Sequence, residues 1–184
     1  EESKTFFYNV GGNGKFTLPY FGYEFDCENG ALLSINLSVK KIQKYRERIN
    51  SILDDFLKHY KYDYKPSRKL LWHRLGYITK NTFLEHPKKG LVGVFYSNSL
   101  LEPTSKSLDI LDETLRNSVN DKLQDEFFGV LRERIIKKFS FKDGFVKKDY
   151  FNIRSKKKRI SWDLDEYSGK STFSNFEKIV YPWA

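Results

Sequence analysis

The chain has 184 residues, of which 33 are lysine or arginine and 24 are aspartate or glutamate, so its formal net charge is +9. Hydrophobic residues make up 39% of the sequence and aromatic residues 17%, which is enough to form a core and excludes an intrinsically disordered chain. No apolar run reaches the roughly 20 residues of a membrane-spanning helix, so we expect no membrane partner.

The residue pattern of the first 37 residues, which include the aromatic-rich segment 16–25, predicts a small antiparallel β-meander. Residues 5–10 are apolar and aromatic, the Gly-rich run at 11–14 permits a hairpin turn, and residues 16–25 follow as further β-structure. After a turn at 28–30, residues 31–37 alternate between apolar and polar side chains, as in a half-buried strand.

The rest of the chain predicts mainly helices. Ser38 is the expected N-cap of a long amphipathic helix over 39–60, Pro66 is expected to break the chain, and 67–81 form a second, buried helix. A turn at 88–90 leads into a short strand over 91–97. Ser105 or Ser107 is the expected cap of a third helix, and residues 124–139 are expected to form a fourth. Residues 140–184 contain an Asp-Gly turn and few helix signals. The expected fold class is therefore α+β. The chain is expected to comprise a β-hairpin or meander (1–37), a mostly helical region with a short β element (38–139) and a basic C-terminal extension (140–184).

Charge and cysteine content narrow the location and partners. Cys27 is the only cysteine, which excludes an internal disulfide and favours a reducing cytoplasm. EESKTFF lacks the regions of a signal peptide, and the absence of methionine leads us to expect an excerpt of a longer protein or, alternatively, a processed one. The positive charge favours a polyanionic partner, nucleic acid or an anionic membrane surface; the alternative is a generally basic protein without one.

Basic residues at the start of the first helix form a stripe that packing does not explain. At about 100° per residue, one exposed wedge opposite the apolar face holds Lys40, Lys41, Lys44 and Arg48. Cations are mildly unfavourable at a helix N-terminus, so the phosphates of a nucleic acid are the natural compensation. The alternative is a solvated basic face.

No catalytic constellation is recognisable in this sequence. It lacks a GxxxxGK[ST] phosphate loop and the CxxC and HExxH metal patterns. His73 and Cys27 are expected to occupy packing positions, and the Asp54–Asp55 pair is expected at the surface. A second basic run at 154–159, with Trp162 beside it for base stacking, is weak by itself because such runs are more often solvated loops.

Three motifs, SKTFF, LPYFGYEF and INLSVKKIQKYRERI, follow one another in an order that resembles the downstream part of a prokaryotic reverse transcriptase. The family includes retron, group II intron and defence-associated (antiphage) enzymes. Its members have a strand ending in Lys-Thr at the palm edge, an aromatic hairpin around a glycine as primer grip, and a Ser-capped basic helix that opens the thumb. These motifs cover residues 1–60, and a looser likeness extends over 67–150.

The resemblance implies roles for individual residues. Lys4 stands where the family has a catalytic lysine near the phosphates of the incoming nucleotide, a proton donor to pyrophosphate. The primer grip would consist of Tyr20, Phe21, Gly22 and Tyr23. Basic residues expected to contact nucleic acid are Lys40, Lys41, Lys44, Arg48, Arg74, Lys80, Lys156, Lys157 and Arg159.

The implied function is part of an RNA-directed DNA polymerase in antiphage defence. The Tyr-X-Asp-Asp loop and the other metal-binding aspartate of the family would lie upstream of Glu1, so this segment is expected to bind no metal and to be inactive alone, with Mg²⁺ bound elsewhere in the full enzyme. Expected partners are an RNA template and a DNA primer or product. A noncoding RNA, a protein partner and self-association stay open. The alternatives are a stand-alone basic RNA-binding module and a protein-interaction domain whose aromatic residues are all core.

Overall fold

A computed structural model describes residues 14–84 and 90–150. Three strands form one antiparallel sheet in sequence order: β1 (Lys15–Tyr20), β2 (Tyr23–Glu28) and β3 (Ala31–Leu37). Two helices follow, α1 (Val39–His59) and α2 (Tyr64–Thr79), and then a two-stranded antiparallel sheet of β4 (Asn81–Leu84) and β5 (Gly90–Gly93). The remaining helices are α3 (Lys106–Lys122), α4 (Gly129–Lys138) and α5 (Phe141–Val146), with 3₁₀ turns at Tyr96–Asn98 and Glu126–Phe128. The predicted α+β class, with its N-terminal antiparallel sheet, is confirmed.

Residues 16–25 belong to two strands joined by a tight turn, at the place where the resemblance implies an aromatic hairpin. Phe21 and Gly22 make a two-residue turn with φ of 47° and 80°, and Tyr20 pairs with Tyr23 across it. Positive φ at both positions characterises a type I′ hairpin, whose twist matches that of the flanking strands. Glycine adopts this conformation readily, whereas phenylalanine seldom does. The predicted strand over 5–10 lies outside the described residues.

Local capping places α1 and α3 where they were predicted. The Ser38 hydroxyl accepts a hydrogen bond from the Lys41 backbone N–H at 3.3 Å, and the Ser105 hydroxyl accepts one from the Ser107 N–H at 3.3 Å. Each bond satisfies a donor that the first turn of a helix leaves without a partner in the helix. Ser105 is therefore the cap of α3.

The start and end of α2 differ from the prediction. Asp63 precedes the helix, and Pro66 lies inside its first turn rather than breaking the chain. Proline is tolerated there because the first backbone N–H groups of a helix need no partner within it. At the other end, Asn81 belongs to β4, a strand that was not predicted. The strand predicted over 91–97 corresponds to β5, which ends at Gly93 before the 3₁₀ turn.

The expected Asp-Gly turn near residue 143 is instead part of helix α5. The Ser140 hydroxyl caps this helix by accepting from the Asp143 N–H at 3.0 Å, and it donates to the Asp112 carboxylate of α3 at 2.6 Å. Phe141 and Phe145 are buried beneath it. A six-residue helix is marginal alone, so its contacts with the rest of the protein stabilise it.

One hydrophobic core joins the N-terminal sheet to the helices. Tyr23 and Leu37 contribute to it from the sheet, α1 contributes a stripe that includes Ile49 and Ile52, and α5 contributes Phe141. Helix α1 packs against both α2 and α3, and α3 packs against α5. The segment 140–150 thus shares the core of the helical region. The predicted division of the chain at residues 37 and 139 stays a prediction. No helix in the described ranges is both long and apolar enough to cross a bilayer.

Candidate nucleic-acid interface

A cleft of about 430 Å³ lies between the β1–β2 turn and the first half of α1. The turn supplies one wall and the basic stripe of α1 supplies the other. The residues that line the cleft are Phe21, Gly22, Ser38, Lys40, Lys41, Lys44, Tyr45, Arg48 and Ser97. The structure therefore brings together two groups of residues that the sequence analysis had singled out separately.

The connection between β3 and α1 holds the hairpin tip beside the helix. The Ser38 backbone N–H donates to the Gly22 carbonyl at 2.9 Å, and Leu37 pairs with Tyr23 across the sheet. Ser38 also caps α1, so one residue is bonded to both walls of the cleft. Because these bonds are between neighbouring backbone segments, the turn and the basic stripe have a defined relative position.

Phe21 projects from the tip of the turn. Its side chain is 80% exposed, and its ring meets the 57%-exposed ring of Tyr20 edge to face, with the centroids 4.3 Å apart. The left-handed conformation costs a non-glycine residue about 1–2 kcal/mol. An exposed ring gains little from burial in return, so packing does not account for its place at the tip.

Lys41 lines the cleft but is half-buried, because its side chain lies against the Tyr23 ring. Tyr23 is buried and donates through its hydroxyl to the Ser97 carbonyl at 3.3 Å. The Lys41 ammonium lies 4.3 Å from the centre of the Tyr23 ring and donates to the same carbonyl at 3.2 Å. Burial lowers the pKa of Lys41. The expectation that Lys41 belongs to a fully exposed wedge is therefore corrected, because the hairpin covers that edge of the helix.

Three of the four cations of the predicted stripe remain exposed. Lys40, Lys44 and Arg48 are exposed and are spaced by one turn, so they extend over about 12 Å of the helix axis. The first turn reads VKKI and holds no carboxylate. Glu47 flanks the stripe and accepts a hydrogen bond from Gln43 at 3.2 Å. Duplex DNA carries one charge per about 1.7 Å, so a stripe of this length matches several phosphates.

Two other predicted nucleic-acid contacts are paired with acids. Arg74 is buried, with its guanidinium bound to the carboxylate of Asp55 on α1. It is a core ion pair, so the prediction that it contacts nucleic acid is wrong, as is the surface assignment of Asp55. Lys80 is 24% exposed and pairs with Asp149 at 3.2 Å. Lys4, Lys156, Lys157 and Arg159 lie outside the described residues.

Sequence reasoning missed the Ser97 carbonyl, which joins the hairpin to α1. The 3₁₀ turn at Tyr96–Asn98 presents this oxygen to both Tyr23 and Lys41. A backbone carbonyl carries no side-chain signal, so only the fold reveals its role. Within the described ranges no cluster of three His, Cys, Asp or Glu side chains is placed to hold a metal ion.

Comparisons of the chain with protein-family models, with curated proteins and with solved structures gave no significant match in any of the three searches. The resemblance to reverse transcriptases thus rests on the sequence motifs.

Proposed function

We propose that this chain binds the terminus and backbone of a template–primer duplex, as the primer-grip and thumb part of a reverse transcriptase that acts in antiphage defence. The observation that carries the proposal is the cleft in which an exposed aromatic turn meets a stripe of three exposed cations. Its occupant would carry phosphates for the stripe and a planar terminal group for the ring. The end of a nucleic-acid duplex has both features.

The two walls of the cleft would have different tasks. Lys40, Lys44 and Arg48 would contact successive phosphates and release counterions, which gives affinity without sequence preference. Phe21 would contact the terminal nucleotide, and Gly22 allows the backbone at the tip to turn. This part of the protein would position nucleic acid. The chemistry, with Lys4 and the Mg²⁺ that such polymerases use, would belong to residues outside those described.

The first test removes the three exposed cations together. The Lys40→Ala, Lys44→Ala, Arg48→Ala variant should lower the slope of log K against log salt by roughly two to three units, since each lost phosphate contact accounts for about 0.9. Fluorescence anisotropy of a labelled RNA–DNA hybrid between 50 and 200 mM salt measures the slope. Thermal denaturation shows that the variant is folded.

A matched control removes the same charge elsewhere. Lys58, Arg116 and Lys138 are also exposed on helices, and changing all three to alanine reduces the net charge equally. This control should keep a slope near that of the unchanged protein. Equal slopes in the two triple variants would mean that binding follows overall charge, and the α1 interface would be withdrawn.

A stand-alone RNA-binding module is the second candidate, favoured by the basic stripe alone. The two functions differ in what they require of the end of the duplex. A primer grip should bind a hybrid with a recessed primer 3′ end more tightly than a hybrid of equal length in which that end is capped by a hairpin loop, and the difference should depend on Phe21. Equal affinity for the two substrates would favour the module.

A further inference from the structure

A second cleft, of about 490 Å³, lies between α2 and the start of α4. Lys65, Arg68 and Lys69 line it from α2, and Arg134 lines it from α4. Among the described residues, those that line this cleft include no carboxylate. Like charges gathered on a small surface repel one another, and an anionic partner would relieve this repulsion.

Aromatic rings stand among these cations. Phe127 is 63% exposed, and its ring centroid lies 5.6 Å from that of Tyr64 in an edge-to-face arrangement. The Arg68 guanidinium lies 5.4 Å from the centre of the Tyr64 ring. Val130, one turn after Phe127, is 64% exposed. The cleft thus combines positive charge with planar and apolar surface.

The turn before α4 orients Phe127 toward the cleft. Asp125 accepts a hydrogen bond from the Phe127 backbone N–H at 2.8 Å and so caps the 3₁₀ turn. Phe128 points into the core and is 2% exposed. The adjacent phenylalanines therefore have separate roles, one in packing and one at the surface, and burial alone does not account for Phe127.

His73 adds a neutral polar group to the same wall. Burial, and then the nearby charge of Lys69, lowers the pKa of His73 below its ordinary value near 6.5. The imidazole is therefore uncharged at neutral pH, and the charge of this wall comes from the lysine and arginine side chains.

We propose that this cleft binds a single-stranded stretch of nucleic acid, with Phe127 and Tyr64 contacting bases and the four cations contacting phosphates. Positive grooves with aromatic platforms are suited to single strands because every unpaired base presents a face for stacking. A duplex hides those faces between its own bases. An acidic peptide would pair with the cations but has no bases to stack on the rings. The volume of the cleft falls in the roughly 300–1,000 Å³ range of sites that enclose small groups. The residues are distinct from those of the α1 cleft, so the two proposals stand or fall separately.

Substitution of Phe127 tests the stacking contact in the full chain. Phe127→Leu keeps an apolar side chain and removes the ring, and it should weaken binding of a labelled 12-nucleotide single strand by about fivefold to 150-fold, the range for loss of one stacked base. Tyr62 is 83% exposed and does not line the cleft, so Tyr62→Leu is the control and should bind normally. Unchanged affinity in Phe127→Leu would overturn the proposal.

Charge removal tests the phosphate contacts. Arg68→Ala with Arg134→Ala should reduce the salt slope for the single strand by about 1.4, since each contact accounts for about 0.7. The variant of Lys40, Lys44 and Arg48 should retain single-strand binding while it loses hybrid binding. If both variants lose affinity for the single strand and for the hybrid to the same extent, the proposal of a separate single-strand site would be overturned. Polyglutamate and an unlabelled single strand should then be compared as competitors at the same charge concentration. If polyglutamate competes equally well, the cleft would be assigned to an acidic peptide instead.

Discussion

Phe21 and Gly22 occupy the two central positions of the same turn for different reasons. Gly22 has φ of 80°, and a Cβ added to it would lie 3.2 Å from the Lys41 side chain, so both conformation and space favour glycine. Phe21 has φ of 47°, a value that asparagine, aspartate or glycine adopts more easily. The combination of an unfavourable backbone conformation and an exposed ring at Phe21 supports the proposal that the tip of the turn contacts a ligand.

We predict that Phe21→Asn separates stability from binding. The hairpin should keep its stability or gain up to about 1 kcal/mol, because asparagine tolerates the left-handed region. Affinity for a hybrid with a recessed primer end should fall, since the ring is lost. Thermal denaturation and anisotropy measure the two effects. A fall in stability that accounts for the loss of binding would show that Phe21 is a structural residue.

A carboxylate on the central strand of the three-stranded sheet adds side-chain hydrogen bonds to both edge strands. Asp26 accepts hydrogen bonds from Thr17 on β1 at 2.8 Å and from Ser34 and Asn36 on β3 at 2.8 and 3.0 Å. The Asn36 side-chain oxygen in turn accepts from the Ser105 hydroxyl at the start of α3, at 3.2 Å. This network connects both edge strands to the helices, and it therefore supports the hairpin whose tip forms the cleft.

The stability that Asp26 contributes should depend on pH. The hydrogen bond from Thr17, followed by that from Ser34, lowers the pKa of Asp26. A carboxyl whose pKa is lower in the folded state stabilises the fold above its unfolded pKa of about 3.9, and this contribution is lost as the pH falls through the folded pKa. Urea denaturation should therefore show Asp26→Ala less stable than the unchanged protein at pH 7.

The difference in the free energy of unfolding between these two proteins should narrow between pH 4 and the acid limit. Thr17→Val removes the leading cause of the shift, so the Asp26 pKa measured by NMR titration should rise in that variant. A stability difference that is constant from pH 7 to acid would contradict the role of the ionised carboxylate.

Across the whole molecule, α5 supports the α1 cleft from beneath. The Phe141 ring lies edge to face against Tyr45 of α1, with the centroids 5.4 Å apart. The Tyr45 hydroxyl accepts a hydrogen bond from Asn98 at 3.0 Å, next to the Ser97 carbonyl in the floor of the cleft. A segment more than 100 positions along the chain from Lys40 thus helps to position the candidate interface.

Docking of α5 should depend on Gly144. A Cβ at this position would lie 1.9 Å from the Thr79 carbonyl oxygen, a backbone atom that cannot move aside cheaply. Gly144→Ala should therefore destabilise the protein by about 3 kcal/mol or more in urea denaturation. Gly129 is the control, because among the described residues no atom outside its own helix backbone lies within 4 Å of an added Cβ. Gly129→Ala should be neutral or stabilising by up to about 1 kcal/mol, and similar losses in the two variants would contradict the steric account.

Prediction from sequence succeeded where the interactions are local. The caps Ser38 and Ser105 and the apolar stripes of α1 and α3 depend on residues within a turn or two, so the sequence by itself determined those helices and the α+β class. The exposed basic residues of α1 were likewise readable from helical spacing, since Lys40, Lys44 and Arg48 lie opposite the buried stripe.

Only the tertiary structure decided features that depend on distant contacts. Arg74 is a buried partner of Asp55 on another helix, and Lys41 is covered by the hairpin. Helix α5 forms because its cap residue Ser140 donates a hydrogen bond to Asp112 and its apolar side chains pack in the core. Burial changes the environment of a charge, and a short helix gains its stability from packing, so neither outcome is encoded in neighbouring residues. The meeting of Phe21 with the basic stripe has the same origin, because it arises from the hydrogen bond between Ser38 and Gly22 across the folded sheet.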